Sequence, residues 1–306
     1  MTMDLGRMLD RIQSRQWALA DIDWDAPGAE LITDEQRPQL ASFMADVAWI
    51  EQVGARAFAA LAVKAEDPDL AAIYRYFHAE EQRHANVELA LMRRWDMLDG
   101  DQPPEPSISV RLAMDWLERY ADSLPMSVLA TAIPMLEVAL DGALLKFLTD
   151  EVPDPLCQTV FELVNNDESR HLAVGFHVLE VLGREPTYLH AARLAKVLLS
   201  PAAIAVLPAA IPLFANARRS ITELGLDEQR LYDAMARFDL VGQRTPIVKR
   251  NPAYLGLKEF GKIVADHSHP YHLVSDAVTR LMDHYPRRLL SEPPSWSDQL
   301  TPLPVV

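Results

Sequence analysis

Apolar residues recur at three- and four-residue intervals along most of this chain, the spacing of a helix buried on one face. Hairpin dipeptides flanked by alternating apolar and polar residues do not occur, so paired strands are not expected. The pattern predicts four long helices, over 38–65, 67–98, 126–151 and 154–182. In the first, Leu40, Phe43, Val47, Ile50, Val53, Phe58 and Leu61 mark the buried stripe. Asp67-Pro68 starts the second, as an N-cap followed by proline at the first helical position. Pro125 opens the third, which Pro134 should kink, and the Pro153-Asp154-Pro155 turn opens the fourth.

At 1.5 Å per residue each of these helices spans roughly 40 Å. Two helix pairs, joined by a proline-rich linker over 100–107 and a shorter helix over 108–124, describe an all-α four-helix bundle with one long crossover. The predicted organisation is a lead-in over 1–37 with a short helix near Met3–Arg15, then the bundle over 38–182. Additional helices over 183–290 pack on it, near 188–200, 202–217, 226–242, 252–265 and 272–290, and a proline-rich tail occupies 291–306.

The polar residues interrupting these stripes carry the chemistry. Two stretches share the order acid, Glu, any residue, Arg, His: Glu80-Glu81-Gln82-Arg83-His84 and Asp167-Glu168-Ser169-Arg170-His171. Residues three apart share a helix face, so Glu81 projects with His84 and Glu168 with His171. Carboxylates and imidazoles are ligands for first-row metals. The other two long helices each hold a Glu among apolar neighbours, Glu51 and Glu137, where an unpaired carboxylate is costly. Glu51 precedes Glu81 by 30 residues and Glu137 precedes Glu168 by 31, the near-equal spacing of a repeated helix hairpin. The competing reading is a bundle with two solvated charged faces.

A metal-bound histidine usually donates its other N–H to a carboxylate. Glu80 is therefore expected to brace His171, and Asp167 to brace His84, with Arg83 and Arg170 neutralising those acids. Exposed salt bridges between residues three apart are the alternative. Ala48, Gly54, Ala55 and Ala59 are small residues around Glu51, which either leave room for O2 and substrate or let the helices approach closely.

The order Glu, Glu-x-x-His, Glu, Glu-x-x-His resembles the ferritin-like di-iron carboxylate proteins. The acid-Glu-x-Arg-His form is most similar to soluble acyl-carrier-protein desaturases and bacterial multicomponent monooxygenases. The resemblance implies a non-haem site of two iron ions that activates O2, a manganese–iron pair being compatible with the same ligands. Glu51 and His84 would lie on one side, Glu137 and His171 on the other, and Glu81 and Glu168 would bridge. The chain departs from subfamily patterns at three positions. Glu88 stands where the ribonucleotide reductase small subunit carries a radical Tyr. Val164 stands where the p-aminobenzoate N-oxygenases carry a third His. Asp141 replaces a Thr common in multicomponent monooxygenases; it is expected either to relay protons or add an oxygen ligand beside Glu137, or to be an ordinary solvated residue.

Composition limits the rest. A net charge of −15 argues against a nucleic-acid partner. The single cysteine, Cys157, excludes a disulfide within one chain and fits a reducing, cytoplasmic setting. Residues 197–217 are uncharged and long enough to span a bilayer, but Pro201, Pro208 and Pro212 favour a broken, buried helix pair. His78 is expected to be structural, and His267, His269 and His272 fall in a proline turn. No dinucleotide-binding glycine loop is present, so electrons would come from an external ferredoxin or flavoprotein reductase. The helices after 182 would shape an apolar substrate pocket or form a homodimer interface. The leading expectation is an oxygenase or desaturase acting on a mainly apolar or carrier-bound substrate. The alternatives are a helical scaffold and a ferritin- or rubrerythrin-like iron-binding or peroxide-scavenging protein; the rubrerythrin resemblance implies extra Glu ligands, a part that Glu88 or Asp141 would play.

Overall fold

The computed structural model describes residues 3–99, 104–134, 148–149, 151–184, 252–266 and 268–290, with scattered residues between 195 and 248. Every regular element among them is helical, as the periodicity predicts. The helices are α1 (Leu5–Ser14), α2 (Arg37–Lys64), α3 (Pro68–Arg94), α4 (Ile108–Tyr120), α5 (Pro155–Gly183), α6 (Pro252–Ala265) and α7 (His272–Asp283), and residues 126–134 are helical as well. Glu137, Asp141, His267, the tail over 291–306 and most of the helices predicted over 188–200, 202–217 and 226–242 lie outside the described residues.

Three predicted helix ends move inward. α3 stops at Arg94, where Trp95 leaves helical geometry and Asp96 takes a positive φ of 56°. α4 stops at Tyr120, a turn before Pro125. α7 stops at Asp283 rather than 290, because Pro286 supplies no N–H and disfavours helical geometry in the residue before it; a short 3-10 turn at Arg287–Leu289 follows.

The contacts divide the chain into two compact units. One comprises Met3–Ser107 with Leu144–Arg170, and the other Ile108–Ala143 with His171–Glu292. In the first, α2 and α3 form a tight hairpin. The Asp67 side chain caps α3 by accepting from the backbone N–H groups of Asp69 and Leu70 at 2.9 and 3.0 Å. Phe58, Tyr74 and Phe77 fill the hairpin's core, Phe58 and Phe77 meeting edge to face at 5.2 Å. Such a pair adds about 0.5–1.5 kcal/mol beyond its area burial.

The lead-in is anchored to this unit. Ile12, Ile22 and Ile32 are buried. Arg94 donates to the carbonyls of Trp24 and Ala26, each at 2.6 Å, and to Asp154 Oδ2 at 2.8 Å. Asp154 also accepts from Trp95 Nε1 and from the Leu156 N–H, which caps α5. Gly28, at φ 132°, passes so close that a Cβ there would lie 2.7 Å from both Asp154 Oδ1 and Pro155 Cδ. These contacts fix where the lead-in crosses α3 and α5, and so where Gln16 and Trp17 arrive.

In the second unit, Asn216 donates to Ser109 Oγ at 3.0 Å, and the His272 ring meets the Ile263 carbonyl at 3.0 Å. No described helix is long and apolar enough to cross a membrane.

Candidate metal centre

Glu51 on α2, Glu81 and His84 on α3, and Glu168 on α5 are buried together. Each offers one ligand atom, and these four atoms all lie within 4.8 Å of one another, so the group could hold a metal ion. His84 Nδ1 is 2.9 Å from Glu168 Oε1 and 3.5 Å from Glu51 Oε2. Its Nε2 lies 3.1 Å from Asp167 Oδ2. Burial pushes the His84 ring down, but Asp167, Glu168 and Glu51 outweigh it and hold the ring well above the ordinary histidine value.

Helix packing explains the close approach of Glu81. A Cβ built on Gly54, one turn after Glu51, would overlap Glu81 Oε2. The missing side chain is therefore the space in which this carboxylate lies. Of the two uses considered for the small residues, Gly54 serves close packing of a ligand group against α2.

A layer of paired groups surrounds the cluster, crossing between α3 and α5. Arg83 on α3 donates to Asp167 Oδ2 on α5 at 2.9 Å. Arg170 on α5 donates to Glu80 Oε1 on α3 at 3.0 Å and also meets Asp167 Oδ1. Burial pushes the Asp167 carboxyl up, but the hydrogen bonds with His84 and Arg83 hold it well below the usual carboxylate range. Glu80 and Asp167 are almost fully buried, so the reading of exposed surface salt bridges does not apply to them.

Two residues of this layer come from the lead-in and carry no signal in the sequence. Trp17 donates from Nε1 to Asp167 Oδ2 at 2.8 Å, and its ring stacks toward His84 at 6.4 Å between centroids. The Arg83 guanidinium lies over the Trp17 ring, 4.6 Å from its centroid. Gln16 donates to Glu80 Oε1 at 2.6 Å and accepts from Arg83 Nη1 at 2.9 Å. Both residues follow α1 in a segment without periodicity, and only the tertiary path shows their partners.

The remaining candidates are placed as follows. His171 is buried on α5, one turn after Glu168, and is not one of the four grouped ligands. Glu137 and Asp141 fall outside the described residues. His78 is structural, its Nδ1 lying 2.8 Å from the Ala55 carbonyl. His269 meets Glu259 at 3.0 Å, and no metal-ligand group includes His269 or His272 among the described residues.

Glu88, a turn beyond His84, is fully buried. Burial and then the charge of Glu51 push its carboxyl well above the ordinary value; Glu81 and Glu168 add to this, while His84 opposes it.

A scan against protein-family models finds no match to this chain. Comparison with curated proteins and with solved structures likewise finds none.

Proposed function

We propose that this chain is a non-haem di-iron oxidoreductase of the oxygenase or desaturase class, built on a ferritin-like four-helix bundle and acting with O2 on a mainly apolar organic substrate. The observation that carries this reading is the buried set Glu51, Glu81, His84 and Glu168, with the second nitrogen of His84 held by Asp167. Three carboxylates and one imidazole suit iron or manganese better than a metal that favours thiolates.

Bound iron would supply the one- and two-electron chemistry with O2 that these side chains lack. The protein's own part follows from its contacts. Asp167 fixes the orientation of the His84 ring and directs Nδ1 toward Glu168 and Glu51. Arg83 pairs with Asp167 and Arg170 with Glu80, which maintains that orientation. Burial of the four ligands keeps water from the reacting centre. Glu137 and His171 complete the proposed ligand set on sequence grounds, and Asp141 is the proposed proton carrier. An external ferredoxin or flavoprotein reductase is the proposed electron source.

The test is to load purified protein with Fe(II) under nitrogen, count iron per chain, and then admit O2 with candidate acyl, alkane or amine substrates. Oxygen uptake coupled to conversion of an organic compound is expected. Glu137→Ala and His171→Ala should each lower iron content and abolish the oxygen reaction. Unchanged iron content in both would remove these residues from the set, and a native chain that takes up no iron would overturn the reading. Storage or peroxide scavenging would use the same ligands. Consumption of O2 or peroxide that no organic compound influences would favour that role.

A further inference from the structure

Glu88 lies outside the six-residue ligand set, and its environment is unusual for a carboxylate. It is completely buried, and neither side-chain oxygen has a hydrogen-bond partner among the described residues. It shares a helix face with Glu81 and His84, at spacings of seven and four residues.

A carboxylate in this position is costly in either form. Ionised, it has no donor and faces other acids; neutral, its O–H has no acceptor. An unsatisfied buried polar group destabilises the fold, and a charged one more so. An apolar residue of similar size would suit the fold better. Buried acids outside the cluster are handled differently: Glu80 and Asp167 are met by Arg170 and Arg83, and Asp154 by Arg94 and Trp95. Since no described residue supplies a partner for Glu88, a bound cation is the partner its position calls for.

We propose that Glu88 is a metal ligand, binding a divalent cation beside the position formed by Glu51, Glu81, His84 and Glu168. One divalent cation among Glu51, Glu81 and Glu168 already meets three carboxylates. Glu88 adds one more carboxylate to these and to the proposed Glu137, a further negative charge that a bound cation would balance. The inference rests on the metal-site reading above, and it adds a ligand that this reading does not contain.

The experiment uses Co(II) under nitrogen on the full chain, counting bound metal after gel filtration and following melting with and without EDTA. Wild type should retain at least two Co(II) per chain. Glu88→Gln, nearly isosteric, and Glu88→Met, apolar, should each lose one equivalent or bind it at least about tenfold more weakly. Glu88→Met should also melt higher than wild type in EDTA and gain less from added Co(II). Should Glu88→Met fail to fold, Glu88→Gln decides. Unchanged metal count and affinity in the variants, with wild-type binding abolished by His84→Ala, would overturn the role of Glu88 and leave the metal site standing. A wild-type chain that binds no Co(II) would overturn both.

Discussion

His84 offers its two ring nitrogens to acids on the same helix, α5, for two different purposes. Nε2 lies 3.1 Å from Asp167 Oδ2, and Nδ1 lies 2.9 Å from Glu168 Oε1. Asp167 and Glu168 are adjacent in sequence, so one points outward to the bracing layer while the other joins the cluster. The neighbouring Asp167 and Glu168 thus take two roles, separated by the 100° turn between adjacent helical residues.

Asp167→Asn tests the outward role. The amide keeps the size of the side chain but cannot hold the ring as an anion does, so His84 loses its fixed orientation. Metal affinity should fall about 10- to 100-fold, as for other groups that orient a ligand. A competition titration with a coloured chelator measures this. Trp17→Phe keeps an aromatic ring but removes the Nε1 donor to Asp167, and should have a smaller effect in the same direction. Wild-type affinity in Asp167→Asn would show that packing alone orients the ring.

Gly54→Ala separates folding from metal binding. Alanine is favoured over glycine within a helix by about 1 kcal/mol. The added Cβ would meet only the end of the flexible Glu81 side chain, which can swing aside. Thermal stability without metal should hold or rise, while metal affinity falls because the Glu81 carboxylate is displaced. A parallel loss of both would place Gly54 in the core packing instead.

These two positions show which parts of the site were legible in the sequence. Glu81, His84 and Glu168 could be read because helical spacing puts them on shared faces, and Glu51 because a carboxylate among apolar neighbours calls for a partner. Long helices could be read for the same reason, their buried stripes repeating over many turns. Gln16 and Trp17 could not, since their roles arise where a nonperiodic segment crosses α3 and α5, a path set by Arg94, Gly28 and Asp154. Helix ends were placed less well than helix bodies, as at Asp96 and Pro286, because a cap depends on one or two residues.

Cys157 should be chemically silent in the native chain. Burial pushes its thiol well above the ordinary value, and the charges of Asp154 and Glu88 reinforce this. Its Sγ donates to the Leu148 carbonyl at 3.4 Å. A chromogenic disulfide reagent should leave it unmodified at mildly alkaline pH and titrate one thiol per chain after denaturation. Rapid native labelling would mean that this end of α5 opens readily.

The Asp154–Arg94 pair should make the first unit sensitive to acid. Asp154 is fully buried and accepts from Arg94, Trp95 and the Leu156 N–H. Burial raises its carboxyl, but these hydrogen bonds outweigh it and leave the value below the ordinary 3.8. A carboxyl lowered on folding stabilises the native state at pH above its unfolded value, and this contribution is lost as pH falls through the lower native value. Asp154→Ala strands the Arg94 guanidinium and uncaps α5, at a cost of about 3–5 kcal/mol near neutral pH. The stability gap between wild type and variant, from denaturant melts, should hold from neutral pH down to 3.8 and narrow below it. A gap that stayed constant into strong acid would mean that Asp154 contributes by packing rather than as an anion.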